Sequence, residues 1–218
     1  QIDKILHSFG FGAETHIDLP AEKLGIVPSP AWKLAKLGEP WYKGDTVITG
    51  IGQGFLLATP LQLAAATATL ATHGMHIQPH VLLSPLNTKD NNPNQPQVTS
   101  LKHQTNWTTV IKAMQDVILS PIGTGENFGR HPKYTVAAKT GTSQLFGRRD
   151  EDSNELNLPK RLRNNHLFIC FAPIKHPRIA VAIIVEHASL ASQIARVYLD
   201  QFFKLYPHEN SYALVKKY

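Results

Sequence analysis

Lys139, Thr140, Gly141 and Thr142 stand consecutively inside Tyr134-Thr-Val-Ala-Ala-Lys-Thr-Gly-Thr-Ser-Gln144. A cation, a pair of hydroxyls and a residue without a side chain are thereby placed side by side. Tyr134 to Ala138 combines β-formers with small residues and predicts a strand running into the Lys-Thr-Gly-Thr segment. On an extended strand Lys139 and Gly141 point to one face, Thr140 and Thr142 to the other. Gly141 leaves one face bare beside the lysine, which suits a ligand lying against the backbone. An ammonium with hydroxyls nearby suits a carboxylate, through charge-assisted hydrogen bonds.

The elements that must position this segment are legible in outline. With 218 residues, 42% of them hydrophobic and 17% charged, the chain has the composition of a globular domain with a sizeable core. Its formal charge of +6 favours anionic partners. The cations are scattered, with short clusters only at Arg148-Arg149 and Lys160 to Arg163. No basic stripe is interleaved with aromatics, so nucleic acid is not expected as a partner. Cys170, the single cysteine, lies in the apolar run Leu167 to Ala172 and reads as a buried structural thiol. No signal peptide and no membrane-spanning run is present, and the start at Gln1, directly in a helical pattern, reads as a piece of a longer polypeptide.

Along the chain, Ile2, Ile5, Leu6 and Phe9 form a helical stripe stopped by Gly10 and Gly12. Residues 31–37 predict a short helix, and Pro40-Trp-Tyr-Lys-Gly-Asp45 a surface loop with buried aromatics. Thr49-Gly-Ile-Gly-Gln-Gly54 resembles a phosphate loop only loosely, since it lacks the Gly-Lys-Ser/Thr ending. It reads as a tight packing turn against the next helix. That helix opens on the capping box Thr59-Pro-Leu-Gln62 and is apolar nearly all round to Ala71. Gln78 to Ser84 predicts a strand, and polar Asn87 to Gln97 a mobile excursion. Trp107, Val110, Ile111, Met114, Val117 and Ile118 give a helical period, ended by Ser120-Pro121 and the turn Gly123-Thr-Gly125.

Residues 147–165 are charged and aperiodic, long for a loop in a compact domain. His166 to Ala172 and Ile179 to Glu186 predict an antiparallel hairpin. The second of these strands is apolar on both faces and belongs inside a covered sheet, with no partner in this chain for its far side. The last helix, Ser189 to Leu205, is expected to lay Ile194, Val197, Tyr198, Phe202 and Leu205 on that sheet.

Lys-Thr-Gly accompanies Ser-x-x-Lys and Ser-Asp-Asn in penicillin-binding proteins and class A β-lactamases. No serine of this chain opens Ser-x-x-Lys or Ser-x-Asn/Asp. Further stretches nonetheless agree with one family: Phe9-Gly-Phe-Gly12, Ile17-Asp-Leu19, Pro40 to Asp45, Gly50-Ile-Gly-Gln-Gly54, Thr59-Pro-Leu-Gln62, Ala137 to Thr142 and Phe171-Ala-Pro173. In order and over about residues 9–205, the chain resembles the C-terminal part of the transpeptidase domain of class B penicillin-binding proteins, elongation type.

The resemblance implies an α+β fold, incomplete in this chain, with a mainly antiparallel sheet between helical layers and a helical subdomain. Residues 1–130 would be the mostly helical part with the glycine loop. Residues 131–206 would hold the strands with Lys-Thr-Gly and the last helix, and 207–218 a tail. It implies a serine-type D,D-transpeptidase that cross-links peptidoglycan stem peptides ending in D-Ala-D-Ala and is acylated by β-lactams. Its nucleophile and second motif would lie in the upstream half of the domain, so this chain alone would be inactive.

By resemblance, Lys139 would supply positive potential and tune the catalytic proton network. Thr140 and Thr142 would bond the substrate carboxylate, with Gly141 between them leaving the backbone open. The N–H of Thr142 would be an oxyanion donor, and Ser143 and Gln144 would continue the strand that pairs with ligand. Further implications are a periplasmic location at an inner membrane, with the anchor upstream, and partnership with a glycosyltransferase and scaffold proteins of the elongation machinery. No cofactor and no metal site is implied.

Other readings are a serine β-lactamase, a non-catalytic β-lactam or peptide sensor of the same fold, and a metal protein. The last rests on His73, His76 and His80. Gly74 and Pro79 interrupt any helix that would align their imidazoles, and these histidines read as solvated. His166 reads as structural, although the long loop before it would allow it near a cleft.

Overall fold

The computed structural model describes residues 1–82, 99–129, 132–144 and 159–207. The excursion expected at 87–97, most of the 147–165 loop and the tail beyond 207 lie outside these residues.

Six α-helices and three strands follow in chain order: α1 Ile2–Ser8, α2 Pro30–Leu37, α3 Lys43–Gly50, α4 Pro60–Ala71, α5 Thr105–Leu119, β1 Ala137–Ser143, β2 Asn165–Ala172, β3 Ile179–Val185 and α6 Ala191–Leu205. Local chemistry explains where the helices start. Ser29 accepts from the Trp32 N–H at the head of α2, and Pro30 fills the first helical position. The capping box of α4 is formed in full, with Gln62 N–H to Thr59 Oγ1 at 3.1 Å and Thr59 N–H to Gln62 Oε1 at 3.0 Å. Gln62 is only 1% exposed. Its Nε2 donates to the carbonyls of Ala13 and Leu24, so the cap also holds the loop before α2.

The strands form one antiparallel sheet in the order β1-β2-β3. Ala137 pairs with Phe171 and Ser143 with Asn165, while His166 pairs with Val185 and Ala172 with Ile179. Each sheet face carries its own core. One packs Val136, Ala138, Phe168 and Cys170 against Ala191, Ala195 and Leu199 of α6. The other packs Ala137 and Phe171 against Ala71 of α4 and Ile111 and Met114 of α5. The result is three layers, helices on both sides of an antiparallel sheet.

Several expectations are corrected. The first strand starts at Ala137, not Tyr134. Residues 78–82 form no strand; the Asp18 carboxylate instead takes the N–H groups of Val81 and Leu82 at 2.7 and 2.8 Å. These bonds hold the Asp18 carboxyl below the usual carboxylate range. Pro40 to Asp45 is not a loop throughout, because Lys43 opens α3, and Tyr42 is exposed rather than buried.

The largest correction concerns α6. Its buried residues are Ala191, Ser192, Ala195 and Leu199, whereas Ile194, Val197, Tyr198 and Leu205 are exposed. Small residues at the contact let the helix axis approach the strands closely, and the bulky stripe faces the other way. β3 is apolar as expected and both α4 and α6 reach it, yet it is an outer strand. β2 is the middle one, and the far edge of β3 has no partner strand among the described residues.

Candidate functional site

β1 pairs with β2 along one side only, so among the described residues its other edge is open. Lys139 and Thr142 are exposed there, and Thr140, Gly141 and Ser143 are half-buried. Residues of an antiparallel strand direct their N–H and C=O alternately toward the partner and outward. The Thr140 carbonyl accepts from Lys139 Nζ at 2.8 Å, and the Thr142 carbonyl from Gln53 Nε2 at 2.7 Å. Both are met by side chains, which marks Thr140 and Thr142 as the residues whose backbone groups line the open edge. The ammonium of Lys139 comes round from its own face to that edge.

The hydroxyls sit on the opposite face of the strand from the lysine stem, as alternation requires. Thr140 Oγ1 lies 2.8 Å from Thr124 Oγ1. Thr124 is the middle residue of the Gly123-Thr-Gly125 turn after α5. Gly141 has a packing role: a Cβ there would come within 3.3 Å of Leu167 Cβ on β2. Ser143 closes the strand opposite Asn165, and Gln144 lies just past its end, exposed. His166 stands directly across from Thr142. Opposed residues share a face at about 5 Å between Cβ atoms, so His166 flanks the hydroxyl row.

The glycine loop has a different office from the one expected. Gly50 ends α3, and the loop packs toward β1, where Gln53 reaches the Thr142 carbonyl. Gly52 and Gly54 take φ of +77° and +74° on either side of Gln53, a backbone course that side chains disfavour. A Cβ on Gly54 would also lie 2.8 Å from Ile48 Cγ2.

Upstream, the start of α3 is pinned by a charge pair that no local motif announces. Lys33 is 3% exposed, and its Nζ is 2.8 Å from Asp45 and 3.6 Å from Glu39, with the Tyr42 ring 4.6 Å away. Asp45 also accepts the Tyr42 N–H at 2.7 Å. The hydrogen bond from Lys33 holds the Asp45 carboxyl below its ordinary range, and the Asp45 bond raises Lys33 in turn. A buried ammonium of this kind is tolerable only when paired.

Elsewhere, His76 Nε2 meets Thr99 Oγ1 at 2.8 Å and His73 stacks on Trp107. No group of three His, Cys, Asp or Glu is placed to hold a metal ion among the described residues. Burial pushes the Cys170 thiol up to about 12, so it is no nucleophile at neutral pH. Among the described residues no helix is long and apolar enough to cross a membrane.

Residues 1–202 match the penicillin-binding protein transpeptidase domain. The chain is 38% identical over 212 residues to the peptidoglycan D,D-transpeptidase MrdA of Salmonella typhimurium strain SL1344, covering 93% of this chain and 34% of that protein. It therefore spans about a third of the length of such relatives. Among solved structures, Pseudomonas aeruginosa PBP2 in complex with WCK 5153 superposes with a TM-score of 0.79 at 32% identity, over 99% of this chain and 46% of that one. Helicobacter pylori PBP2 in its complex with MreC gives 0.77 at 33% identity, over 94% and 35%. With its three-layer fold and Lys-Thr-Gly-Thr edge strand, the chain belongs to the penicillin-binding protein transpeptidase domain family and is a part of such a domain, similar to that of PBP2.

Proposed function

We propose that this chain is the substrate-edge part of a peptidoglycan D,D-transpeptidase, and that the open edge of β1 binds the stem peptide. The observation that carries the reading is the convergence on that edge of the Lys139 ammonium with the backbone groups of Thr140 and Thr142. A D-Ala-D-Ala terminus is an extended peptide with a carboxylate at its end. Strand addition along β1 satisfies its amides, and the threonine hydroxyls with Lys139 receive the carboxylate.

In this reading the nucleophile is a serine outside the chain. Its hydroxyl oxygen attacks the penultimate D-alanine carbonyl, the peptide C–N bond breaks, and the last D-alanine leaves as an amine after taking up a proton. An amine of a second strand then attacks the ester carbonyl and returns the serine hydroxyl. The Thr142 N–H, beside its outward carbonyl, donates to the oxygen on which negative charge develops. Such a donor contributes about 3 kcal/mol to acyl transfer. Lys139 raises the local positive potential and steadies the proton network around the serine. Gly141 keeps the backbone accessible, and Ser143 and Gln144 extend the pairing surface. A β-lactam acylates the same serine.

The working enzyme on this account acts in the periplasm at the inner membrane, anchored through residues outside this chain. It joins a scaffold protein, as the H. pylori PBP2–MreC complex suggests, and a glycosyltransferase. Intact mass of the full-length protein after exposure to penicillin tests the reading. A persistent adduct of one penicillin mass supports it, whereas no adduct, or one hydrolysed within seconds, refutes it.

A further inference from the structure

The open edge of β1 is not vacant. Two of its outward acceptors, the carbonyls of Thr140 and Thr142, are occupied by side chains of the chain itself. Lys139 belongs to the strand and swings on its own stem. Gln53 does not: it comes from a loop 89 residues earlier in sequence. That loop is built to deliver it. Gly52 and Gly54 bend the backbone through left-handed conformations on each side, and the Gln53 N–H is held by the Ile48 carbonyl at 3.0 Å. The side chain is thus presented at the tip of a turn whose base is α3. Edge strands are commonly protected from unwanted pairing, and a primary amide is a good cap because it donates as a peptide N–H does.

We infer that Gln53 is a latch on the ligand-binding edge: its amide occupies the acceptor that an added strand, or the acylamino N–H of a β-lactam, must take over. The inference rests on the proposed role of β1 as the ligand edge. A ligand that offers an N–H to the Thr142 carbonyl exchanges one hydrogen bond for another, and the displaced amide returns to water. A ligand without that N–H leaves the latch in place. Gln53 is therefore a specificity-determining residue. It lowers the advantage of acylamino ligands over those lacking the donor and keeps the edge from pairing with unrelated strands.

The test uses the full-length protein and the variant Gln53→Leu, which keeps the bulk and loses the donor. Acylation rates are measured with a penicillin, which carries an acylamino N–H, and with a carbapenem, which has none. The latch predicts a rise of about two- to tenfold for the penicillin, the factor belonging to one net hydrogen bond, and little change for the carbapenem. A parallel fall of both rates would mean that Gln53 merely supports the strand, and unchanged rates would mean that it does nothing; either overturns the inference. Should wild type form no adduct with either compound, the transpeptidase reading fails and the latch with it. If the leucine variant does not fold, wild-type crystals decide, with Gln53 bonded to Thr142 in the free protein and released in the penicillin adduct. Retention of the bond in the adduct overturns the inference.

Discussion

Thr124 and Thr140 share a hydroxyl–hydroxyl hydrogen bond of 2.8 Å, joining the turn after α5 to the edge strand. A threonine hydroxyl free to rotate must be ordered before it can donate to a ligand carboxylate. The Thr124 contact supplies that ordering in the arrangement in which Thr124 donates and the Thr140 proton is directed elsewhere. Thr124→Val removes the partner while keeping the shape. In the full-length protein it should slow penicillin acylation by about two- to tenfold and leave the melting temperature nearly unchanged. Stopped-flow acylation beside a thermal melt reads both.

The Lys33–Asp45 pair anchors α3 and, through it, the glycine loop. Asp45→Asn leaves a buried ammonium with only the more distant Glu39, and should lower the melting temperature by several degrees. The pH dependence has a definite sign. The folded carboxyl titrates below its unfolded value, so its contribution is full above that value, about 3.9, and is lost as the pH falls through the folded value. Lys33, raised, loses its contribution only as the pH climbs past the ordinary lysine value of about 10.4. The gap between wild type and Asp45→Asn should stay constant from about pH 5 to 9 and close below about pH 4. Melts across that range check it.

Close approach of α6 to the sheet makes a sharp prediction about its two faces. Ala195 is fully buried and Val197 is 70% exposed. Ala195→Leu should cost about 1–3 kcal/mol by overpacking. Val197→Ser should cost far less. Denaturant unfolding of both variants distinguishes this arrangement from one in which the bulky stripe is buried.

Cys170 sits in the centre of β2 with its thiol pushed up to about 12 by burial. Thiol reagents at neutral pH should leave it unmodified in the folded protein and label it in denaturant. Mass spectrometry of both samples reads the outcome.

These contacts explain what was legible in the sequence. Periodicity locates α5 and the β2–β3 hairpin, and the capping box locates α4, because those signals are local: Thr59 and Gln62 act within one helical turn of each other. The Lys-Thr-Gly-Thr segment is legible as a strand from its own residues, and the structure places it at the edge of the sheet. Gln53 and Thr124 were visible only as parts of glycine turns, since the bonds that give them meaning span 89 and 16 residues. The buried face of α6 is hidden from local pattern for a related reason. Hydrophobic size identifies an apolar stripe, but Ala191 and Ala195 are chosen by helix–sheet distance, which no local pattern encodes. Gln78 to Ser84 looked like a strand from its residues alone, and Asp18, some sixty residues away, satisfies the backbone there instead.

A β1 edge that receives a ligand carboxylate between Lys139 and the threonine hydroxyls, as proposed, makes acylation depend on the charge of that carboxylate. The decisive measurement is acylation of the full-length protein by a penicillin and by its uncharged methyl ester, in wild type and in Thr142→Val. Wild type should strongly prefer the free acid, and Thr142→Val should lose at least about tenfold of that preference, as expected for a charge-assisted bond. An unchanged acid-to-ester ratio in the variant would contradict it.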